Sequence, residues 1–207
     1  MEPIYIFPGS FCPPTYGHFE IVRKAAEILS ELTIVCSRNP AKGNDWFTEE
    51  ECARMWIDVY DLPDNVRVAT FSDMARENLD LSRVVLVRGI RDGRDFFGEA
   101  ATIDKNVKEL GIDKFLHIVC SEEYREVSSS LVRELALQGE VDRMKRFVPS
   151  IIASTLMAKG KFEADRLVNE DIYREGNDWR AAERDMVRAR FEPDSYRNLR
   201  HMNRQYD

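Results

Sequence analysis

The chain has 207 residues, 43% hydrophobic and 32% charged, with a net charge of −7 from 30 Lys and Arg against 37 Asp and Glu. That length suits one domain with some chain left over, and the acidic balance argues against a general nucleic-acid binder. No apolar run approaches a membrane span, residues 4–7 are too short for a signal-peptide core, and Cys12, Cys36, Cys52 and Cys120 form no C-x-x-C pair. They read as reduced thiols of a cytoplasmic protein rather than as zinc ligands.

Short apolar runs alternate with helical patterns. Residues 4–7 (IYIF) are predicted as a strand, and residues 18–29 as a helix with Ile21, Ala25, Ile28 and Leu29 on one face. Residues 32–36 (LTIVC) form a second strand, followed by a polar loop through residue 45. Thr48 and Glu51 then make a capping box for a helix to about residue 60. Strands follow at 66–71, at 84–87 (VVLV) and at 115–119, with a helix over 96–110 stopped by Gly111. Ser128, Ser129 and Ser130 cap a helix through residue 138 that Gly139 ends, and another helix fits 150–159. Past residue 160 the chain is highly charged but nearly balanced, with amphipathic helices predicted at 163–175 and 179–191 and Pro193 after the second. The organisation is a domain over 1–160 and a charged helical extension over 161–207.

Buried strands alternating with helices imply βαβ units and a parallel sheet. The fold class is therefore α/β: a Rossmann-like, doubly wound, five-stranded parallel sheet with a helical C-terminal extension. Such sheets bind ligands beyond the carboxyl ends of their strands. Strand one leads to Gly9, Ser10 and His18, strand two to Lys42, strand three to residues 72–74, strand four to Arg88 and Arg91, and strand five to Tyr124 and the serines. Groups that suit phosphate thus gather at one edge.

Each residue also has a plainer reading. His18 sits where a helix begins, in reach of unpaired amides and the positive dipole end; it reads equally as an anion-binding imidazole and as a capping or packing side chain. The three serines are N-cap residues first, but three in a row exceed what a cap needs. Arg88 and Arg91 have the planar fork that suits phosphate, against the plainer reading of a solvated loop. Lys42 in a polar loop reads on its own as a solvated lysine. No Walker A pattern and no G-x-G-x-x-G follows strand one.

The run Thr15-Tyr16-Gly17-His18 resembles the (H/T)-x-G-H motif of the nucleotidyltransferase superfamily. Gly9-Ser10-Phe11, Lys42, WFTEEE, FSDM, RGIRDGRDF, Glu99 and SSSLVREL extend the resemblance to the phosphopantetheine adenylyltransferase family, over about residues 4–159. The resemblance implies transfer of AMP from ATP to 4′-phosphopantetheine, giving dephospho-CoA and pyrophosphate. It also implies Mg²⁺, a cytoplasmic setting, no nucleic-acid or membrane partner, and a homo-oligomer, commonly a hexamer. By that match His18, Lys42 and Arg91 would be catalytic. Ser10, Phe11, His18, Gly89, Ile90, Arg91, Glu99, Tyr124, Arg125, Glu126, Val127, Ser128, Ser129 and Ser130 would contact ATP. Ser10, Lys42, Met74, Arg88 and Asn106 would contact the acceptor.

The chain departs from the family pattern at several places. Ser10 stands where Thr is usual, Cys12 where Asp is usual, and Lys105-Asn106-Val107 where Met-Asn-Arg is usual. Two alternatives stay open, the first of them motivated by the last substitution and Cys12. One is a nucleotidyltransferase with another phosphate-bearing acceptor such as nicotinamide mononucleotide; the other is a non-catalytic nucleotide-binding scaffold.

Overall fold

The structure, a computed structural model, describes residues 2–38 and 46–160. Five strands, β1 (Ile4–Gly9), β2 (Leu32–Cys36), β3 (Val66–Thr70), β4 (Val84–Ile90) and β5 (Lys114–Val119), form one sheet in the order β3-β2-β1-β4-β5. Every neighbouring pair is parallel, with Phe7 opposite Ile34, Ile6 opposite Leu86 and Arg88 opposite His117. The helices are α1 (Tyr16–Ala26), α2 (Glu49–Val59), α3 (Phe71–Arg76), α4 (Gly93–Leu110), α5 (Ser129–Leu137), α6 (Val141–Met144) and α7 (150–160). Among the described residues no helix is long and apolar enough to cross a membrane.

Alternation along each strand builds two cores. Phe7, Ile34, Val87 and Ile118 face one side, where Ile21, Val22 and Ala25 of α1, Trp56 of α2, Val132 and Leu135 of α5 and Ile152 and Leu156 of α7 close over them. Their immediate neighbours Ile6, Val35 and Leu86 face the other side and pack with Ala69, Met74 and Ile112. Burial on both faces is what makes these strands apolar throughout.

Within the described residues the predicted elements are present, with shifted ends. α1 begins at Tyr16 rather than at residue 18, because Thr15 supplies the N-cap, and it ends at Ala26 with Glu27 as the C-cap. β4 runs on through Ile90, so Arg88 lies inside the strand rather than after it. α4 starts at Gly93, where the Asp92 carboxylate accepts from the Asp95 amide at 3.0 Å. Residue 71 belongs to α3, not to β3; α3 and α6 have no counterpart in the sequence reading. The Thr48–Glu51 capping box is formed, and α4 and α5 are followed by Gly111 and Gly139 with positive φ. The helices predicted at 163–175 and 179–191 lie outside the described residues.

One polar network ties α1 to the end of β5. Both Glu20 carboxylate oxygens accept from the Ser121 amide, at 3.2 and 3.0 Å, and Glu20 pairs with Lys24 at 2.8 Å. Lys24 also donates to the Val119 carbonyl at 2.9 Å and the Ser121 hydroxyl at 3.0 Å. Burial of Glu20 disfavours its charge, but Lys24 and Ser121 together outweigh it and hold the carboxyl below its ordinary value. A carboxyl depressed by folding stabilises the native state above its unfolded value of about 4.3 and stops doing so as pH falls through the lower folded value. Urea titrations should therefore find wild type more stable than Glu20→Gln at neutral pH, with the gap shrinking as the solution is acidified below about pH 4. A gap that stays constant down to acid pH would contradict this assignment.

Candidate active site

The strand order reverses between β1 and β4, and a cleft of about 800 Å³ opens at the carboxyl ends of these two strands. One side is the turn after β1 and the start of α1. The floor is the end of β4, and the other sides are the first turns of α4 and α5.

The turn after β1 is built by packing and by one reciprocal cap. Phe11 has φ 43, a left-handed conformation that costs a non-glycine residue about 1–3 kcal/mol and persists only where its surroundings hold it. Its ring is held by Phe7 at 5.2 Å, His18 at 5.1 Å and Trp56 at 5.4 Å, the last two edge-on. The ring also lies directly over Gly9, where an added Cβ would sit 2.6 Å from Phe11 Cζ; only glycine admits that approach. Two further bonds brace the turn: Tyr60 Oη donates to the Pro14 carbonyl at 3.1 Å, and the Tyr16 amide to the Phe147 carbonyl at 2.9 Å.

Thr15, fully buried, is the N-cap of α1, and His18 is the third residue of the helix. The Thr15 amide donates to His18 Nδ1 at 3.1 Å, and the Thr15 hydroxyl lies 3.0 Å from the same nitrogen and 3.4 Å from the His18 amide. A backbone amide only donates, so Nδ1 accepts, and the ring is the neutral tautomer with its hydrogen on Nε2. The two readings of His18 thus merge: the residue caps the helix with one ring nitrogen and lines the cleft.

Two arginine–carboxylate pairs form the opposite side. Arg88 reaches Glu99 through Nε and Nη2 at 2.8 and 2.7 Å, and its Nη1 donates to the Pro8 carbonyl at 3.4 Å. Arg91 reaches Asp95 through Nε and Nη2 at 2.7 and 2.9 Å, and its own amide donates to the same carboxylate at 3.1 Å. Asp95 and Glu99 are one turn apart on α4, so a single helix face holds both forks.

The three serines have separate tasks. Ser128 caps α5 by accepting from the Leu131 amide at 3.1 Å, Ser129 donates to the Pro13 carbonyl at 2.7 Å, and Ser130 accepts from Arg133 at 3.2 Å. Arg133 also donates to the Cys12 carbonyl. All four residues line the cleft together with Tyr124 and Val127.

The cleft therefore brings together Ser10, Phe11, His18, Arg88, Gly89, Arg91, Glu99, Tyr124, Val127 and Ser128 to Ser130. The other predicted site residues lie elsewhere. Ile90 is buried, and its carbonyl accepts from the Cys120 amide. Arg125 and Glu126 are exposed, and Asn106 stands near the far end of α4. Met74 is buried in the second core, with Arg67 at 3.5 Å from its sulfur. Lys42 lies outside the described residues. Asp95 and Arg133 line the cleft without having been picked out. Their helical spacing, four residues from Arg91 and three from Ser130, was the available signal.

Among the described residues no three His, Cys, Asp or Glu side chains converge as a metal cage. The carboxylates of Asp95 and Glu99 each already accept from an arginine. The residues present therefore do not fit a protein-built Mg²⁺ site.

The profile of the family described as cytidylyltransferase-like matches residues 6–135. Solved structures share the fold: the Plasmodium falciparum nicotinic acid mononucleotide adenylyltransferase complexed with NaAD superposes with a TM-score of 0.52 at 16% identity, covering 76% of this chain and 96% of that one. A bifunctional NMN adenylyltransferase/ADP ribose pyrophosphatase from Francisella tularensis gives 0.52 at 13% identity, covering 82% and 54%. The family match and the curated relatives below make the chain an enzyme of the nucleotidyltransferase type. The phosphopantetheine adenylyltransferase of Leuconostoc mesenteroides is 30% identical over 154 residues, 74% of this chain and 93% of that protein. That of Caldanaerobacter subterraneus subsp. tengcongensis is 32% identical over 159 residues, 76% and 98%. Within the cytidylyltransferase-like proteins, the chain belongs to the phosphopantetheine adenylyltransferase family.

The Thr15–His18 pair yields a test. Thr15→Val removes the hydroxyl but keeps the backbone amide on Nδ1; it should cost about 1 kcal/mol of helix capping and lower kcat by about 10-fold by loosening the imidazole. Thr15→Ser keeps the oxygen and should stay close to wild type. Equal kcat in the valine variant and wild type would remove Thr15 from the site.

Proposed function

We propose that this enzyme transfers the adenylyl group of ATP to the phosphate of 4′-phosphopantetheine, releasing pyrophosphate and forming dephospho-CoA. The observation that carries the reading is His18: a neutral imidazole with its hydrogen on Nε2, at a helix N-terminus, lining one cleft with two arginines and a serine-capped helix. The names of the two bacterial relatives support the choice of acceptor.

The acceptor phosphate is itself anionic near neutral pH, so the reaction needs no strong base. It needs the attacking oxygen in line with the α-phosphorus and charge balanced around it. His18 Nε2–H donates to an α-phosphoryl oxygen as charge builds there. Arg91 and the amides at the start of α5 hold the departing pyrophosphate. Arg88 receives the acceptor phosphate, and Ser10 lies between the two substrates. Lys42, outside the described residues, belongs to the same reading as a second cation for the reacting phosphates. Both arginines are bonded to carboxylates, so substrate phosphates exchange for, or add to, partners already in place. Mg²⁺, a cation that keeps its waters and takes few protein ligands, would be held by the phosphates of ATP and would offset their charge.

The chemistry lies in residues 1–160 of a cytoplasmic homo-oligomer, hexameric by resemblance, with 161–207 as an accessory extension. Sedimentation of the full chain measures the assembly. A chain ended after Gly160 should still release pyrophosphate; total loss in a folded truncation would bring the extension into the site.

An acceptor panel with ATP and Mg²⁺ is the direct test. Pyrophosphate release is expected with 4′-phosphopantetheine and not with nicotinamide mononucleotide; the reverse would overturn the acceptor. His18→Ala should lower kcat by about 10²–10³-fold while changing ATP affinity far less. Parallel losses in both would contradict a transition-state role.

A further inference from the structure

Arg91 is the first residue after β4 and Asp95 the third residue of α4, and both line the cleft. The Asp95 carboxylate takes the Nε and Nη2 donors of Arg91 at 2.7 and 2.9 Å and the Arg91 main-chain amide at 3.1 Å. The opening of α4 is capped from elsewhere, since the Asp95 amide donates to the Asp92 carboxylate at 3.0 Å. The Asp95 carboxylate thus acts on Arg91 and not as the cap of its own helix. The neighbouring fork differs: Arg88 and Glu99 are the more enclosed pair, and Arg88 also donates to the Pro8 carbonyl. Of the two arginines, Arg91 is the one on the open side, where a ligand and water reach it. Its Nε and Nη2 form the edge with which a guanidinium grips a phosphate through two parallel bonds. A phosphate and the Asp95 carboxylate therefore call on the same two N–H groups.

We propose that Asp95 is a positioning residue that competes with pyrophosphate for Arg91: it holds the guanidinium plane ready, yields it to the phosphates, and takes it back as the product leaves. The inference rests on the reading of this cleft as an adenylyl-transfer site, and it does not depend on the identity of the acceptor. Pyrophosphate is a compact, multiply charged product, and an arginine with no counter-charge beside it holds such a product tightly. A carboxylate on the same edge offsets part of that attraction, and it gives Arg91 a partner to return to. The exchange is between two anions on one cation, so no covalent bond forms or breaks. The partial exposure of the pair keeps its own strength modest, which is what lets a phosphate displace the carboxylate at all. Asp95 thereby sets the balance between gripping the triphosphate and releasing pyrophosphate.

The test titrates inorganic pyrophosphate, with Mg²⁺, into the full chain by calorimetry. Asp95→Asn keeps the shape and one accepting oxygen but removes the charge, and it should bind pyrophosphate about three- to tenfold more tightly than wild type. Pyrophosphate should inhibit turnover of that variant more strongly by the same factor. In an Arg91→Met background the substitution should bring no gain, because the competition runs through Arg91. A purely structural role for Asp95 predicts the opposite sign, since loss of order at the end of β4 weakens binding. Unchanged or weaker pyrophosphate binding in Asp95→Asn, or an equal gain without Arg91, overturns the proposal. Wild type alone supplies a second measurement should the variant fail to fold: the arginine Nε–H resonance that Arg91→Lys removes should shift when pyrophosphate is added, and a resonance that stays in place overturns the exchange. The two levels of the argument fail separately. A wild-type chain that transfers adenylyl groups but shows no gain in Asp95→Asn sinks the competition alone, whereas one that neither binds pyrophosphate nor turns over sinks the reading of the cleft as well.

Discussion

The cap that Thr15 and His18 make for each other is the constraint on which the site is organised. It satisfies the amides of an opening helix, fixes which ring nitrogen carries hydrogen, and places the imidazole at the positive end of that helix. A histidine tied in this way cannot be protonated on Nδ1 without losing the bond from the Thr15 amide. Stability and chemistry therefore pull in one direction at residue 18. The aromatic contacts of Phe11 extend the same logic into the core, because the ring that abuts His18 also abuts Trp56, which is wholly buried.

Charge on the other side of the cleft is handled differently. Arg88 and Arg91 are not bare cations; each is met by a two-pronged carboxylate on α4. The pairs set the guanidinium planes before any ligand arrives and keep the end of β4 from being a patch of unbalanced positive charge. The Arg88 pair is the more enclosed, with side chains 25% and 15% exposed, against 43% and 26% for the Arg91 pair. Screening by water makes the outer pair the weaker of the two.

The strand framework was legible because burial on both faces leaves long apolar runs, as in LTIVC and VVLV. The ends were less legible, since a strand that opens into a polar cleft finishes in polar residues; β4 continues through Arg88 and Gly89 for that reason. α3 escaped notice because Thr70 is at once the last residue of β3 and the cap of the helix, leaving no loop between them. His18, the arginines and the serines could be found from their places after strands. Which carboxylate meets which arginine could not, because pairing depends on how α4 lies against β4. Glu99 was legible as a site residue without its partner Arg88, and Asp95 was not legible at all.

The bonds from α5 to the turn after β1 have a mechanical meaning. Ser129 holds the carbonyl of Pro13 and Arg133 that of Cys12, so the helix and the turn are cross-braced through main-chain atoms. Across the cleft, α4 meets the end of β4 chiefly through side-chain forks, with the Arg91 amide as a main-chain donor beside them. The cleft thus resembles a vise with one jaw braced on main-chain carbonyls and the other joined mostly through side chains. The alignment of His18 with the serine-capped helix belongs to the main-chain-braced jaw.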